Sequence, residues 1–193
     1  HFGDPVAAIE RERKEVITGN GRRFSYDKLI MATGSYPFVP PVQGADHARC
    51  LTYRTIDDLG QIRAKARGSR IGVVVGGGLL GLECANALRN LGLETHVVEF
   101  APGLMGVQLD DGGSRMLRRK IEALGVQIHT GKNTQSISAG AACALNMVFT
   151  DGENLETDMI VFSAGIRPRD NLARDAELAV GERGGIIIDY KCK

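Results

Sequence analysis

The residues of this chain whose types and spacing could do chemistry lie between positions 71 and 99. A turn of sequence GGGLLG occupies positions 76–81, directly after the apolar run 71–75, and the carboxylate Glu99 follows Gly81 by 18 residues. A strand, a glycine turn, a helix and a second strand that ends in an acid are typical of a dinucleotide-binding unit. The spacing therefore predicts that this stretch holds the pyrophosphate and one ribose of a dinucleotide.

Three glycines of the turn have separate physical reasons. Gly76 lets the chain pass sharply from strand to helix, because glycine adopts a positive φ without penalty. Gly78 has no Cβ, so a pyrophosphate could approach the first N–H groups of the helix, where the helix dipole is positive. Gly81 allows the helix to lie close to the strand. The alternative is a glycine loop that only turns a corner.

Glu99 stands where a carboxylate would accept hydrogen bonds from both ribose hydroxyls of an adenosine. The same charge would repel a 2′-phosphate, and no Lys or Arg occurs between Glu99 and Gln108. The sequence therefore favours NAD over NADP.

The elements that position these residues follow from hydrophobic periodicity. The helix that follows the glycine turn is predicted to run to about Asn90 and to bury a face made by Leu80, Cys84, Ala87 and Leu91. An earlier helix is predicted to start at the N-cap Thr55, with Asp58 three residues later, and to end at Gly68. Alternating strands and helices of this kind predict a parallel sheet.

A later helix is predicted from about Asp110 to Leu124, followed by a third parallel strand at 126–128. Its inward residues are expected to be Leu117, Ile121 and Leu124. Its cationic residues are expected to form a solvated face: Arg115, Arg118, Arg119 and Lys120.

Short strands are predicted on both sides of this unit. The predicted strands are 6–10, 15–18, 23–26 and 28–32 before it, then 134–138, 145–149, 154–157, 159–164 and 186–188 after it. The apolar run Leu29-Ile30-Met31 indicates a strand buried on both faces, and the prolines at 37, 40 and 41 indicate a linker. The Asp151-Gly152 turn favours an antiparallel meander laid on the parallel sheet.

Composition excludes several classes of protein. The 24 basic and 23 acidic residues leave a net charge of +1, so nothing favours a nucleic-acid partner. Four scattered cysteines form no CxxC or Cys/His cluster, which argues against a metal site and suits a reducing cytoplasm. No apolar run approaches the ~20 residues of a membrane span. His96 and His129 are expected to be strand residues without a ligand role.

Two tracts extend the pattern: Ala32-Thr33-Gly34 and Ser163-Ala164-Gly165 each close an apolar strand, one on either side of the glycine unit. Together with that unit they resemble the two-dinucleotide flavoprotein reductases, in which an NAD domain interrupts an FAD domain. The runs 75–83, 96–102 and 165–170 more narrowly resemble large subunits of assimilatory NAD(P)H-dependent nitrite reductases. Rubredoxin and ferredoxin reductases share the general motifs.

The resemblance implies roles for individual residues. Gly76, Gly78 and Gly81 match the pyrophosphate loop with the backbone of Leu79 and Leu80, and Glu99 matches the ribose acid. Glu83 matches an acidic position near the nicotinamide, although a carboxylate near a helix N-terminus has the dipole as a sufficient reason. Gly165 matches a glycine beside the nicotinamide or is a strand-ending turn, and Thr33 with Gly34 matches an FAD-contacting turn.

The architecture expected from the resemblance is α/β. It consists of a Rossmann-like NAD-binding domain at 36–164, flanked by incomplete pieces of an FAD-binding domain at 1–35 and 165–193. FAD domains of the family that the chain resembles begin with their own strand, glycine turn and helix, which nothing before Val6 supplies, and they need a later Gly-Asp tract for the flavin phosphates, which does not occur up to Lys193. The chain is therefore expected to be a piece of a longer protein, to hold no stoichiometric FAD and to be inactive alone.

The resemblance implies hydride transfer from NADH to FAD. In the parent protein, electrons would continue to iron–sulfur and sirohaem centres for the reduction of nitrite to ammonia. The remainder of the parent chain and a small subunit are the implied partners, and no side chain here is expected to be catalytic. The alternatives are an NADH–flavin reductase like those for rubredoxin or ferredoxin, and a non-catalytic NAD-binding module.

Overall fold

The computed structural model describes residues 1–192, which form thirteen strands and four helices. The strands are β1 Val6–Glu10, β2 Glu15–Thr18, β3 Arg23–Ser25, β4 Ser35–Pro37, β5 Cys50–Thr52, β6 Ile71–Val75, β7 Glu94–Glu99, β8 Val126–Thr130, β9 Thr134–Ala139, β10 Leu145–Phe149, β11 Asn154–Thr157, β12 Met159–Phe162 and β13 Ile166–Pro168. The helices are α1 Ile56–Ala66, α2 Leu79–Asn90, α3 Asp111–Ala123 and α4 Asn171–Asp175. The chain divides into a central unit, residues 37–165, and a terminal unit, which joins residues 1–36 to the residues from 166 onward.

The central unit is built on a five-stranded parallel sheet of order β5-β12-β6-β7-β8. From β6 the chain passes through α2 to β7 and through α3 to β8, and it later returns to place β12 on the opposite side of β6. The strand order therefore changes direction at β6. Open α/β sheets bind ligands at the carboxyl ends of strands where this reversal occurs. The predicted α/β class and parallel sheet are confirmed, and β5 is a strand that the sequence prediction lacked.

Helix α2 lies against the sheet with a different face from the one predicted. Leu80 and Leu91 are 44% and 45% exposed, and Ala87 is only partly buried. The buried residues are Gly81, Leu82, Cys84, Ala85 and Leu88. The reason is Gly81: a Cβ there would collide with the Gly76 carbonyl, so the glycine side of the helix must face the loop. The prediction is confirmed for Cys84 but was wrong for Leu80 and Leu91, because the periodicity of the larger apolar residues ignored this close approach.

The second face of the sheet is covered by the predicted meander, a three-stranded antiparallel sheet of order β11-β10-β9. Leu145, Met147 and Phe149 alternate along β10 and pack in one core with the sheet residues Val73 and Phe162. Burial of alternate residues is what an antiparallel strand with one solvated face requires. The opposite core, beneath α2, includes Val74, Val97 and Leu88.

The terminal unit contains the three-stranded antiparallel sheet β1-β2-β3, the strand pair β4–β13 and α4. The first three predicted strands are confirmed, and Gly21 turns the chain between β2 and β3 with φ +78°. The predicted strands at 28–32 and 186–188 were wrong, apart from an isolated bridge between Val180 and Ile186. Ile30 is 90% exposed, so the apolar run 29–31 is not buried on both faces as predicted. Within that same range, no helix is long and apolar enough to cross a membrane.

Candidate dinucleotide-binding site

The glycine turn between β6 and α2 is fixed by contacts that only glycine permits. Gly76 has φ +121°, and its N–H donates to the Val98 carbonyl oxygen at 2.8 Å. A side chain at Gly76 would collide with the Ser163 backbone, just as one at Gly81 would collide with Gly76. The turn therefore has one shape, which lies against the carboxyl ends of β7 and β12.

Helix α2 begins without a side-chain cap. Its N-cap is the exposed Gly78, with φ −82° and ψ −178°, and no side chain accepts a hydrogen bond from the first turn. A Cβ added at Gly78 would meet no atom within 4 Å. The N–H groups of a helical first turn have no intrahelical partner and carry partial positive charge. This end of α2, including the backbone of Leu79 and Leu80, can therefore receive an anion.

Glu99 ends β7 beside the turn and is held there by two backbone hydrogen bonds. Its Oε2 accepts the Gly77 N–H at 2.5 Å, and its Oε1 accepts the Ala101 N–H at 2.7 Å. Each carboxylate oxygen can accept more than one hydrogen bond, so acceptor capacity remains for ribose hydroxyls. The structure thus places the predicted acid against the predicted loop.

Gly77 is a site residue that the sequence analysis did not single out. An added Cβ would lie 2.6 Å from Leu104 Cδ2 and 3.1 Å from Glu99 Cβ, and Leu104 is fully buried. The Gly77 carbonyl accepts the Met105 N–H at 3.0 Å. The only sequence signal for this packing was that Gly77 lies between two other glycines, Gly76 and Gly78.

Gly165 lies at the carboxyl end of β12, on the same edge of the sheet. Ser163 N–H donates to the Val75 carbonyl at 2.8 Å, which joins the end of β12 to the end of β6. Gly165 is exposed, has φ +105°, and accepts the Phe38 N–H at 2.9 Å. Both a backbone contact to a ligand and a strand-ending turn are compatible with this geometry.

Glu83 is exposed on α2. Burial is the main reason that the pKa of the Tyr53 hydroxyl is raised, and the nearby Glu83 carboxylate contributes. Tyr53 follows β5 directly, so Glu83 and Tyr53 belong to the same edge as Gly165. Nothing in the sequence pattern had pointed to Tyr53.

Thr33 and Gly34 lie in the terminal unit and are considered with it alone. Thr33 Oγ1 donates to the Arg169 carbonyl oxygen at 2.6 Å, and Arg169 N–H donates to the Gly34 carbonyl at 3.0 Å. Gly34 has φ +69°. Thr33 also lines a cavity of about 700 Å³, together with apolar residues that include Leu29, Ile30 and Leu172. A cavity of this size and composition suits part of an aromatic cofactor.

The cationic face predicted for α3 is only partly solvated. Arg115, Arg119 and Lys120 are exposed, but Arg118 donates to the Ile128 carbonyl at 3.1 Å and to Thr130 Oγ1 at 3.3 Å. Arg118 therefore ties α3 to β8. The prediction missed this because charge and helical periodicity do not show that the guanidinium reaches two residues of the strand that follows α3.

His96 and His129 hydrogen-bond to each other, with 3.0 Å between His96 Nδ1 and His129 Nε2. Burial lowers the pKa of both imidazoles; for His129, the charges of His96 and Lys132 contribute further. No group of three or more potential metal ligands occurs among residues 1–192.

Comparison with known proteins assigns this geometry to a family. The family model described as pyridine nucleotide-disulphide oxidoreductase matches residues 1–193. The chain belongs to this family. Membership in the pyridine nucleotide-disulphide oxidoreductases implies binding of NAD(P) and FAD.

Individual relatives agree with the narrower resemblance. The chain is 60% identical over 192 residues to "Nitrite reductase [NAD(P)H] large subunit" of Klebsiella oxytoca. This match covers 100% of this chain and 20% of the relative. It is 55% identical over 192 residues to "Nitrite reductase (NADH) large subunit" of Escherichia coli K12. That match covers 99% of this chain and 23% of the relative. The chain thus spans about a fifth of the length of these curated relatives. The predicted resemblance to nitrite reductase large subunits, which are oxidoreductases, is confirmed.

A solved structure shows the same fold. The ferredoxin reductase for the CYP199A2 system of Rhodopseudomonas palustris is similar to this chain with a TM-score of 0.90 at 30% sequence identity. The match covers 96% of this chain and 46% of that one. The expected fold class is confirmed by this agreement.

Proposed function

We propose that the central unit binds NADH at the carboxyl edge of its parallel sheet and presents the nicotinamide for hydride transfer to FAD. The observation that carries this is the uncapped start of α2 beside the anchored carboxylate of Glu99. Gly76 and Gly81 shape the turn, and Gly78 with the backbone of Leu79 and Leu80 faces the pyrophosphate. Glu99 accepts the hydroxyls of the adenosine ribose.

The preference for NADH over NADPH rests on uncompensated negative charge. Glu99 is followed by no cation as far as Gln108. Lys132 donates its backbone N–H to the Glu99 carbonyl, but its ammonium lies 2.6 Å from Asp151 and 2.7 Å from Glu153. Because two carboxylates already engage this cation, it does not neutralise a 2′-phosphate next to Glu99.

The nicotinamide end is assigned to the opposite side of the turn, where Gly165 and Glu83 lie. Gly165 offers an exposed backbone, and Glu83 an exposed carboxylate that could orient the carboxamide or a flavin-side lysine. FAD, when bound, accepts the hydride at N5, and the side chains here serve to position the reactants.

The binding of NAD and of FAD is assigned to the same segments of the chain as in the sequence analysis. We assign the NAD-binding domain to 36–164 and two parts of an FAD-binding domain to 1–35 and 165–193. The structural units divide one residue later, after Tyr36 and Gly165. Thr33 and Gly34 would contact FAD, because they form a hydrogen-bonded turn at the apolar cavity of the terminal unit.

The whole protein would pass electrons onward to iron–sulfur and sirohaem centres and reduce nitrite to ammonia in the cytoplasm. The support is the names of the two nitrite reductase relatives. The remainder of the longer chain and a small subunit would be its partners. An NADH–flavin reductase acting on rubredoxin or ferredoxin is the second candidate, favoured by the similarity to the ferredoxin reductase. A non-catalytic NAD-binding module is the third, and flavin-dependent NADH oxidation by the full-length protein would exclude it.

Calorimetry with NADH and NADPH tests the assignment of Glu99. The chain should bind NADH more tightly, and Glu99→Gln should reduce the difference between the two because it removes the charge that repels the 2′-phosphate. Equal affinities of the unaltered chain for both nucleotides would contradict the role of Glu99.

A further inference from the structure

A groove on the central unit, apart from the proposed dinucleotide site, is lined by two cations. It has a volume of about 440 Å³ and lies between α1 and the beginning of β5. Arg49 precedes β5 directly, and Lys65 belongs to the last turn of α1, so the cations come from the strand side and the helix side. β5 is an edge strand, and Arg49 is at its amino end. The proposed NADH site lies at the carboxyl ends of the strands, so the groove is a separate feature.

The positive charge of the groove is not balanced by the protein. Arg49 and Lys65 are both half-buried. Neither forms an ion pair with any residue from 1 to 192, and the lining contributed by those residues includes no carboxylate. Two like charges beside one cavity repel each other, and partial removal from water strengthens the repulsion. An anion in the groove would relieve it.

Arg49 is fixed before any ligand arrives. Its Nη1 donates to the Asp158 carbonyl oxygen at 3.1 Å, and its backbone N–H donates to His47 Nδ1 at 3.2 Å. Its own carbonyl accepts the Ile160 N–H at 2.9 Å. A guanidinium has five N–H donors, so most of them are not used by the Asp158 contact. A side chain that is already held loses little conformational freedom on binding.

The remaining lining indicates the size and type of the ligand. Gln61 lies one turn before Lys65 on α1 and adds an amide, while Leu51 and Ala64 add apolar surface. A guanidinium matches the oxygens of a phosphate with two parallel hydrogen bonds, and an ammonium adds a point charge. One water molecule takes about 30 Å³ of liquid volume, so the groove has room for more than an inorganic phosphate ion.

We propose that this groove binds a small phosphate monoester, such as a sugar phosphate. Arg49 and Lys65 hold the phosphate from the two sides of the groove, and Gln61 bonds to a hydroxyl of the organic part. The site does not depend on NADH, because its residues belong to the amino end of β5 and the last turns of α1.

Titration of the ¹⁵N-labelled chain, followed by nuclear magnetic resonance, tests the proposal. Glucose 6-phosphate should shift the amide signals of Arg49, Gln61 and Lys65, with a dissociation constant of about 1 mM or below. Glucose, which lacks the phosphate, should shift none of them. Lys65→Met keeps most of the side-chain length but removes the charge, and it should weaken the affinity about tenfold, equivalent to about 1.4 kcal/mol.

Arg63→Met is the matched control, because it removes one positive charge from the same helix at an exposed position outside the groove lining. It should leave the affinity for glucose 6-phosphate unchanged, and Lys65→Arg should retain most of that affinity. Gly78→Val, which blocks the start of α2, should also leave it unchanged. Circular dichroism should show the same fold for every variant.

Three outcomes would overturn the proposal. If glucose 6-phosphate shifts only the signals of Leu79 and Leu80, the anion binds at α2 and not in the groove. Equal losses of affinity in Arg63→Met and Lys65→Met would show a general effect of charge rather than a site. If inorganic phosphate binds as tightly as glucose 6-phosphate, the organic part contributes nothing and the monoester is the wrong ligand. No NADH is present, so each result is independent of the proposed function.

Discussion

The three long helices of the central unit begin in two different ways. Helix α1 is closed by a capping box, in which Thr55 Oγ1 accepts the Asp58 N–H and the Asp58 carboxylate accepts the Thr55 N–H. Helix α3 is closed by Asp110, whose Oδ1 accepts the Gly113 N–H at 2.8 Å. Helix α2 has only Gly78 at the same position. In α1 and α3, a side chain already accepts a hydrogen bond from an N–H group of the first turn. In α2 no side chain does so, and these N–H groups remain available to a ligand.

The same contrast occurs along the single strand β7. His96 is buried and bonded to His129, so its hydrogen-bonding capacity is used inside the protein. Glu99 is half-buried and accepts two backbone N–H groups, yet its oxygens retain lone pairs. Polar groups that are satisfied internally stabilise the fold, and those left with capacity at the sheet edge are the ones available to a ligand.

Within the glycine turn, Gly81→Val should have the largest effect. Its side chain would collide with the Gly76 carbonyl, a backbone atom that cannot move without opening the turn. Overpacking typically costs about 1–3 kcal/mol and occasionally more, and we expect at least about 3 kcal/mol here. Urea unfolding measures the loss, and an unchanged midpoint would show that α2 does not need to approach the loop closely.

Gly78→Val should abolish binding while leaving the fold intact. Position 78 has an ordinary φ and open space around its Cβ, so the side chain would occupy ligand space rather than protein space. NADH affinity should fall by at least about 100-fold, or about 2.7 kcal/mol. Gly68→Val, also in open space but just after α1, is the control and should bind normally. Retained NADH affinity in the Gly78 variant would remove α2 from the site.

Gly78→Asp would convert the open helix start into a closed one. The new carboxylate should accept an N–H of the first turn, as Asp110 does in α3, and raise the free energy of unfolding by a few tenths of a kcal/mol. The same charge should repel the pyrophosphate, so NADH affinity should decrease. Stability and affinity would therefore change in opposite directions, and a parallel change in both would contradict the comparison.

Thr55→Ala should show the reverse behaviour at a closed helix. Loss of the cap should lower the free energy of unfolding by about 1 kcal/mol, because the Asp58 N–H loses its acceptor. NADH affinity, measured by calorimetry on the folded variant, should not change. A decrease in affinity would indicate that the two helix starts are coupled.

The histidine pair should affect stability only below neutral pH. Burial lowers the folded-state pKa of both imidazoles below the usual 6.5, so the unfolded chain binds more protons. Stability is therefore fully present above pH 6.5 and is lost as the pH falls through the folded-state values, by at most about 1.4 kcal/mol per pH unit for each histidine. Urea unfolding between pH 7 and pH 5 should show a shallower pH dependence for His129→Gln than for the unaltered chain. An identical slope would mean that the pair does not control acid stability.

Much of the site and the fold was predictable because it depends on short-range sterics and local hydrogen bonding. The glycine turn, the cap Thr55 and the meander were predicted from patterns that span a few residues. The helix predicted from about Asp110 begins at Asp111, and Asp110 is its N-cap. The strand at 28–32 was not correctly predicted, because an apolar run becomes a strand only where a neighbouring strand pairs with its backbone.

The sequence by itself determined that a glycine turn, a helix start and an acid come together in register, since GGGLLG at 76–81 and Glu99 fix their spacing. Only the tertiary structure decided which face of α2 is buried, that Leu104 and Glu99 pack closely against Gly77, and that His96 pairs with His129. It also tied Glu99 and Ala101 to the residues after β8. These features depend on atoms brought together from distant parts of the chain, and local periodicity carries no information about such distances.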